Sequence, residues 1–146
     1  MPRDDFTAFA WIATHPWLYP ALEAAHIVGI ALMLGSLVLV ELRVWGLGAT
    51  LAMPALARLG LTVSLAGFGL AGATGLMMFV SQAGELLANR VFVTKMVLLM
   101  FAGLNAAGFH ARGSLDKLDR TARAQTLVSL GLWLAVIICG RWIAYY

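Results

Sequence analysis

Ala21 to Val40 reads ALEAAHIVGIALMLGSLVLV, an apolar run whose only ionisable side chains are one carboxylate, Glu23, and one imidazole, His26. At 1.5 Å per residue, a helix of that length crosses the ~30 Å hydrocarbon core of a bilayer. Three more stretches read the same way, at about 59–80, 91–111 and 126–146. Short connections separate the four, so the expected fold is all-α: a transmembrane antiparallel four-helix bundle occupying 1–146 as one domain. Composition agrees, with 62% hydrophobic and 12% charged residues and a mean hydropathy of +0.88. Soluble domains average about 45–50% apolar and about 25% charged.

Residues 1–20 read as an interfacial lead-in. Phe6 to Trp17 forms a short amphipathic segment for the membrane surface, and His15-Pro16 and Pro20 then break the chain before the first span. A basic region followed by an apolar core and a small-residue cleavage site is missing, so no cleaved signal peptide is expected. Cys139 is the only cysteine, which excludes an intrachain disulfide and a cysteine-based zinc site. In the second span, Ser64, Gly67, Ala71 and Gly75 form a small-residue stripe that suits close helix packing.

The loop charges give an orientation. Arg43, Arg58, Arg112, Lys117, Arg120 and Arg123 collect on one face, against Arg3 and Arg90 outside the spans on the other. The positive-inside rule makes the first face cytoplasmic and puts both termini on the periplasmic side. A pI near 9.5 then implies contact with anionic lipid. Nucleic acid is not an expected partner, because the basic residues sit at span ends with no recognition fold.

Polar residues inside the spans are the functional candidates. A charge at membrane depth costs ~2.5–3.5 kcal/mol on insertion scales, so such residues pair, snorkel to the interface, or do chemistry. His26 and Lys95 lie roughly 7 Å below the periplasmic surface by residue count, with Arg141 at a similar level. Glu23 stacks one turn from His26, and the second span reaches this level with Met77 and Met78, whose thioethers can ligate a soft metal or fill space. Lys95 and Arg141 have a plain alternative in snorkelling, with Trp142, Tyr145 and Tyr146 as an aromatic belt. His26 has no long stem and needs a partner. Gly29, three residues along the same face, is expected to open room there for a flat ligand.

His110 is roughly 22 Å from Lys95 along the third span and belongs elsewhere. With Asn105, Glu41 and Arg43 it makes a second polar site, read first as a structural network at the cytoplasmic end. For the His26 level, haem b is the most economical flat ligand: an imidazole ligates iron and basic side chains meet the propionates. His26 is the proposed metal ligand, with Lys95 and Arg141 for the propionates. Met77, Met78, His15 or no residue supplies the second axial position.

HIVG (His26 to Gly29), ELRVWG (Glu41 to Gly46), NRVFVTK (Asn89 to Lys95), LNAAGFH (Leu104 to His110) and GRWIAY (Gly140 to Tyr145) together resemble a family of small bacterial four-helix integral membrane proteins. The resemblance covers nearly the whole chain, implies the fold and a bacterial inner-membrane location, and highlights His26, Arg43, Lys95, Asn105, His110 and Arg141. It implies no established activity. Glu41 stands where that family usually has aspartate. A first-helix histidine with a third-helix lysine is also similar to the membrane protoporphyrinogen oxidases that bind haem b, and an early-helix histidine followed by glycine is similar to copper-resistance membrane proteins.

Three functions follow as expectations. The first is a b-type haem protein passing electrons between a quinol or porphyrin and a partner, which makes a membrane oxidoreductase the expected enzyme class if there is one. The others are a metal or small-solute permease, and an accessory subunit of a larger membrane complex. A homodimer would bring two copies of His26 or His110 together and change the ligand count. Hydrolysis is not expected, because no nucleophile with base and orienting acid, and no phosphate-binding glycine loop, is present.

Overall fold

The computed structural model describes residues 8–146. Arg3 and the start of the lead-in at Phe6 lie outside the described residues. The elements are α1 (Trp11–Thr14), α2 (Leu18–Val44), α3 (Met53–Ser81), α4 (Ala83–Ala88), α5 (Arg90–Ala111), α6 (Ser114–Lys117) and α7 (Arg120–Trp142), closed by a 3-10 turn, Ile143–Tyr145. The chain is all-α among its described residues, and α2, α3, α5 and α7 are each long and apolar enough to cross a membrane.

Helix ends fall where capping chemistry puts them, and this corrects several boundaries. Pro16 separates α1 from α2, with His15 extended as a residue before proline prefers. Pro20 does not break the chain. It occupies the third position of α2, where the backbone N–H has no intrahelical partner to lose. Likewise α3 starts at Met53, six residues before the expected 59, because Pro54 suits a first turn. Asp119 accepts from the Ala122 N–H at 2.8 Å and so begins α7 at Arg120 rather than 126. Asn89 caps α5 by accepting from Val91 and Phe92 at 2.9 and 3.2 Å, while its amide donates to the Ile143 carbonyl at 3.1 Å. One side chain thus ties the start of α5 to the end of α7.

The strongest packing is between α2 and α3. Their contacts run His26 to Thr74, Met33 to Gly67 and Val40 to Gly60, rising on one helix as they fall on the other, so the two are antiparallel. The small-residue stripe makes this crossing. A Cβ on Gly67 would lie 2.5 Å from the Met33 nitrogen, and one on Gly29 would lie 2.7 Å from the Ala71 nitrogen. Gly29 therefore seats backbone against backbone and is buried. It does not open a slot for a flat ligand.

The second pair, α5 and α7, joins the first mainly at the end that carries Glu41. There Val40, Val44, Met53, Ala57, Phe109 and Ala122 form a core cluster, and the Trp45 indole donates to Thr126 Oγ1 at 2.9 Å. Towards the other end no residue of α5 from Arg90 to Phe101, and none of α7 from Ile137 to Trp142, is buried. The bundle is closed at the Glu41 end and loosely packed at the His26 end, where a stacked Phe79–Phe92 pair at 5.6 Å links α3 to α5.

Gly67→Ala should lower stability by about 1–3 kcal/mol, because the backbone it would strike cannot move aside as a side chain can. Gly69→Ala faces open space and should equal or exceed the parent, since alanine is a better helix former by about 1 kcal/mol. Thermal unfolding of the two variants in detergent checks the order. Equal midpoints would remove the crossing from its place in the fold.

Candidate functional site

His26 is half-buried on the face of α2 that meets α3. Its Nδ1 lies 2.8 Å from the Ala71 carbonyl and 3.1 Å from Thr74 Oγ1. A carbonyl can only accept, and the Thr74 hydroxyl already donates to the Leu70 carbonyl at 2.7 Å. Nδ1 must therefore carry a proton, and in the neutral ring Nε2 then keeps its lone pair. No described residue engages Nε2. The imidazole fits because Gly75 lies beside it: a Cβ there would be 3.1 Å from Cε1. The glycine that makes room for the ring is Gly75 on α3, and not Gly29.

Lys95 on α5 is half-buried. Its stem runs across α7 at Gly140, where a Cβ would lie 3.7 Å from Nζ. No described acceptor bonds Nζ. Arg141 goes another way: it is exposed, Nη2 donates to the Tyr145 hydroxyl at 2.8 Å, and the guanidinium sits 5.1 Å above that ring. This is the snorkelling arrangement. Glu23 is also exposed and pairs with neither base; among the described residues the single ion pair is Arg112–Asp119 at 2.9 Å. Met77 is 41% exposed, whereas Met78 is half-buried, one turn beyond Thr74 on the stripe facing α2. His15 Nδ1 accepts from the Trp17 and Leu18 N–H groups at 3.3 and 3.1 Å, which occupies it at the start of α2. The structure thus joins His26 to Ala71, Thr74 and Gly75, sets Lys95 against Gly140, and leaves Arg141 and Glu23 apart from both. No group of three or more histidine, cysteine, aspartate or glutamate side chains among the described residues could hold a metal ion.

The second site is more complete than its residues suggested. Glu41 is 7% exposed, and Ser129 on α7 borders the same space. A cavity of about 50 Å³ adjoins them, bounded also by Asn105, His110, Gln125 and Thr126. Asn105 donates to the Gln125 carbonyl at 2.9 Å. Arg43 turns away to the Leu51 and Ala49 carbonyls at 3.0 and 3.5 Å, pinning the loop after α2. Ser129, Gln125 and Thr126 escaped notice as site residues. Their spacing on one face of α7 was the available signal. A larger concavity of about 630 Å³ beside Arg58, Leu65 and Leu118 is an open apolar groove that touches neither polar cluster.

Arg112 fastens this end by donating to Ser114 Oγ at 3.0 Å, Gln125 Oε1 at 3.2 Å and Asp119 at 2.9 Å. Asp119 lies in the connection before α7, outside the spans. The Ala122 N–H first, and Arg112 second, hold its carboxyl below the ordinary value of 3.8. A depressed folded value means a contribution to stability that is complete above 3.8 and lost as pH falls through the lower folded value. Asp119→Asn retains a capping oxygen but cannot titrate. Its thermal midpoint should therefore fall less than the parent's on acidification below about pH 4; an identical fall would show that Asp119 takes no part.

No family model, curated protein or solved structure matches this chain.

Proposed function

We propose that the protein is a small b-type haem protein of a bacterial inner membrane with an electron-transfer role, and that His26 is its axial ligand. One observation carries the reading: the Nδ1–H of His26 is spent on the Ala71 carbonyl, which leaves Nε2 as a free donor atom. Metal-ligating histidines are held in this way, the second ring nitrogen fixing tautomer and ring plane. The residues present fit the group at that position. Lys95 would meet a propionate, Thr74 and Ala71 orient the ring, and Gly75 gives it space. Met78, half-buried one turn beyond Thr74, would be a further residue to hold the group, whereas Arg141 is held by Tyr145. A bound haem would supply one-electron chemistry.

Orientation by loop charge puts the Arg43, Arg58, Arg112, Lys117, Arg120 and Arg123 side in the cytoplasm, so that His26 lies near the periplasmic face. The loosely packed half of the bundle then opens to lipid at that face. This suits a flat lipophilic donor such as a quinol or a porphyrin. A second reading, an accessory subunit or a homodimer, is favoured by α5 and α7: only 6% of each hydrophobic window is buried, against 28% and 22% for α2 and α3.

Protein purified from cells supplied with haem precursor should show a Soret band, and His26→Ala should abolish it while the protein still purifies. A colourless preparation from which no haem can be extracted would overturn the proposal.

A further inference from the structure

We propose that the cavity between Glu41 and His110 is a proton-exchange site, in which one cavity water passes a proton between the imidazole and the buried carboxyl. It involves none of the residues at the His26 level and stands apart from the haem reading.

Apart from the His110 imidazole at the cavity's edge, no element around Glu41 supplies a cation among the described residues. On α2, Arg43 is turned to the loop carbonyls. From α3 only Leu61 borders the cavity. On α5, Asn105 and His110 border it; on α7, Gln125, Thr126 and Ser129 do. Arg123 lies over the Trp45 ring at 6.0 Å, and Arg112 is committed to Ser114, Gln125 and Asp119. An enclosed carboxylate with no cation is costly, and a bound proton removes that cost.

The lining suits water as the carrier. The Asn105 amide nitrogen gives one N–H to the Gln125 carbonyl, which leaves its second N–H and its Oδ1 for the cavity. Thr126 Oγ1 accepts from Trp45 and donates to the Arg123 carbonyl, so it has no proton to offer. What remains is a mixed set, the free Asn105 N–H and Oδ1 and the Gln125 amide nitrogen beside the Glu41 carboxyl, and water, which donates and accepts at once, can bridge such groups. A volume of about 50 Å³ holds one water, whose share of liquid volume is about 30 Å³. His110 is exposed at the outer edge, its nitrogens bonded to no described residue, and an imidazole can donate a proton at one nitrogen and accept one at the other. The step balances: the imidazolium N–H gives its proton to the cavity water as that water gives one to a Glu41 carboxylate oxygen. Neutral imidazole and a carboxylic acid result, and His110 recovers its proton from the aqueous side.

Infrared difference spectra of the full chain in detergent test this through the C=O stretch of a protonated carboxyl. Across roughly pH 5 to 8, where exposed carboxyls are ionised, one such band is expected. It should shift in D2O, be lost in Glu41→Gln, and deuterate roughly a hundredfold more slowly in His110→Gln, the lower end of what a positioned proton donor contributes. Should Glu41→Gln fail to fold, Glu41→Asp keeps a carboxyl and must move the band. The proposal is overturned by absence of the band in the parent protein, by its persistence unmoved in the Glu41 variant that folds, by its removal on adding sodium at constant pH, which would mean an alkali-cation site, or by unchanged deuteration in His110→Gln.

Discussion

An imidazole on one helix reaches a backbone carbonyl of another only where the two backbones nearly touch, and that condition is met where α2 crosses α3. Gly29 and Gly67 provide it. With any side chain at either position the helices would separate, because the nearest atoms are backbone nitrogen and oxygen at 2.5 to 2.8 Å from a Cβ. The same approach presents the Ala71 carbonyl to His26 at 2.8 Å, and one turn on, Gly75 leaves room for the ring. Tautomer, ring plane and free lone pair of His26 all follow from a packing decision made by glycines.

The two ends of the bundle divide their labour accordingly. At the Glu41 end, the polar web from Arg112 through Gln125 to Asn105 ties α5 to α7, and the apolar cluster around Val40, Val44 and Phe109 with the Trp45–Thr126 bond locks that pair onto α2. Burial there is high enough that a carboxyl is enclosed. At the His26 end the second helix pair makes few buried contacts, and Asn89 holds α5 and α7 to each other rather than to α2 and α3. A buried proton site needs the first kind of packing, and a site for a flat lipophilic group needs the second.

The four long helices were legible in hydropathy alone, and so was the axial level of each polar residue, since rise per residue is constant. Helix ends were not, because Pro20, Pro54 and Asp119 act through local hydrogen-bond chemistry that a hydropathy reading passes over. Rotation about the axis was legible only in part. Helices apolar on all sides offer no polar face to set azimuth, so nothing told that Gly29 would seat backbone while Gly75 seated the imidazole, or that Arg141 would fold onto Tyr145. The stripe of Ser64, Gly67, Ala71 and Gly75 was the exception, as small residues at helical spacing mark a contact face. The Ala71 carbonyl carries no side-chain signal and could be found only in three dimensions.

The central claim is the protonation state that α3 imposes on His26, and nitrogen-15 NMR of histidine-labelled, haem-free protein at neutral pH reads it directly. The structure predicts a neutral ring with a protonated Nδ1 and an unprotonated Nε2 for the residue assigned by its loss in His26→Ala. A ring protonated at Nε2 instead, or at both nitrogens, would contradict it.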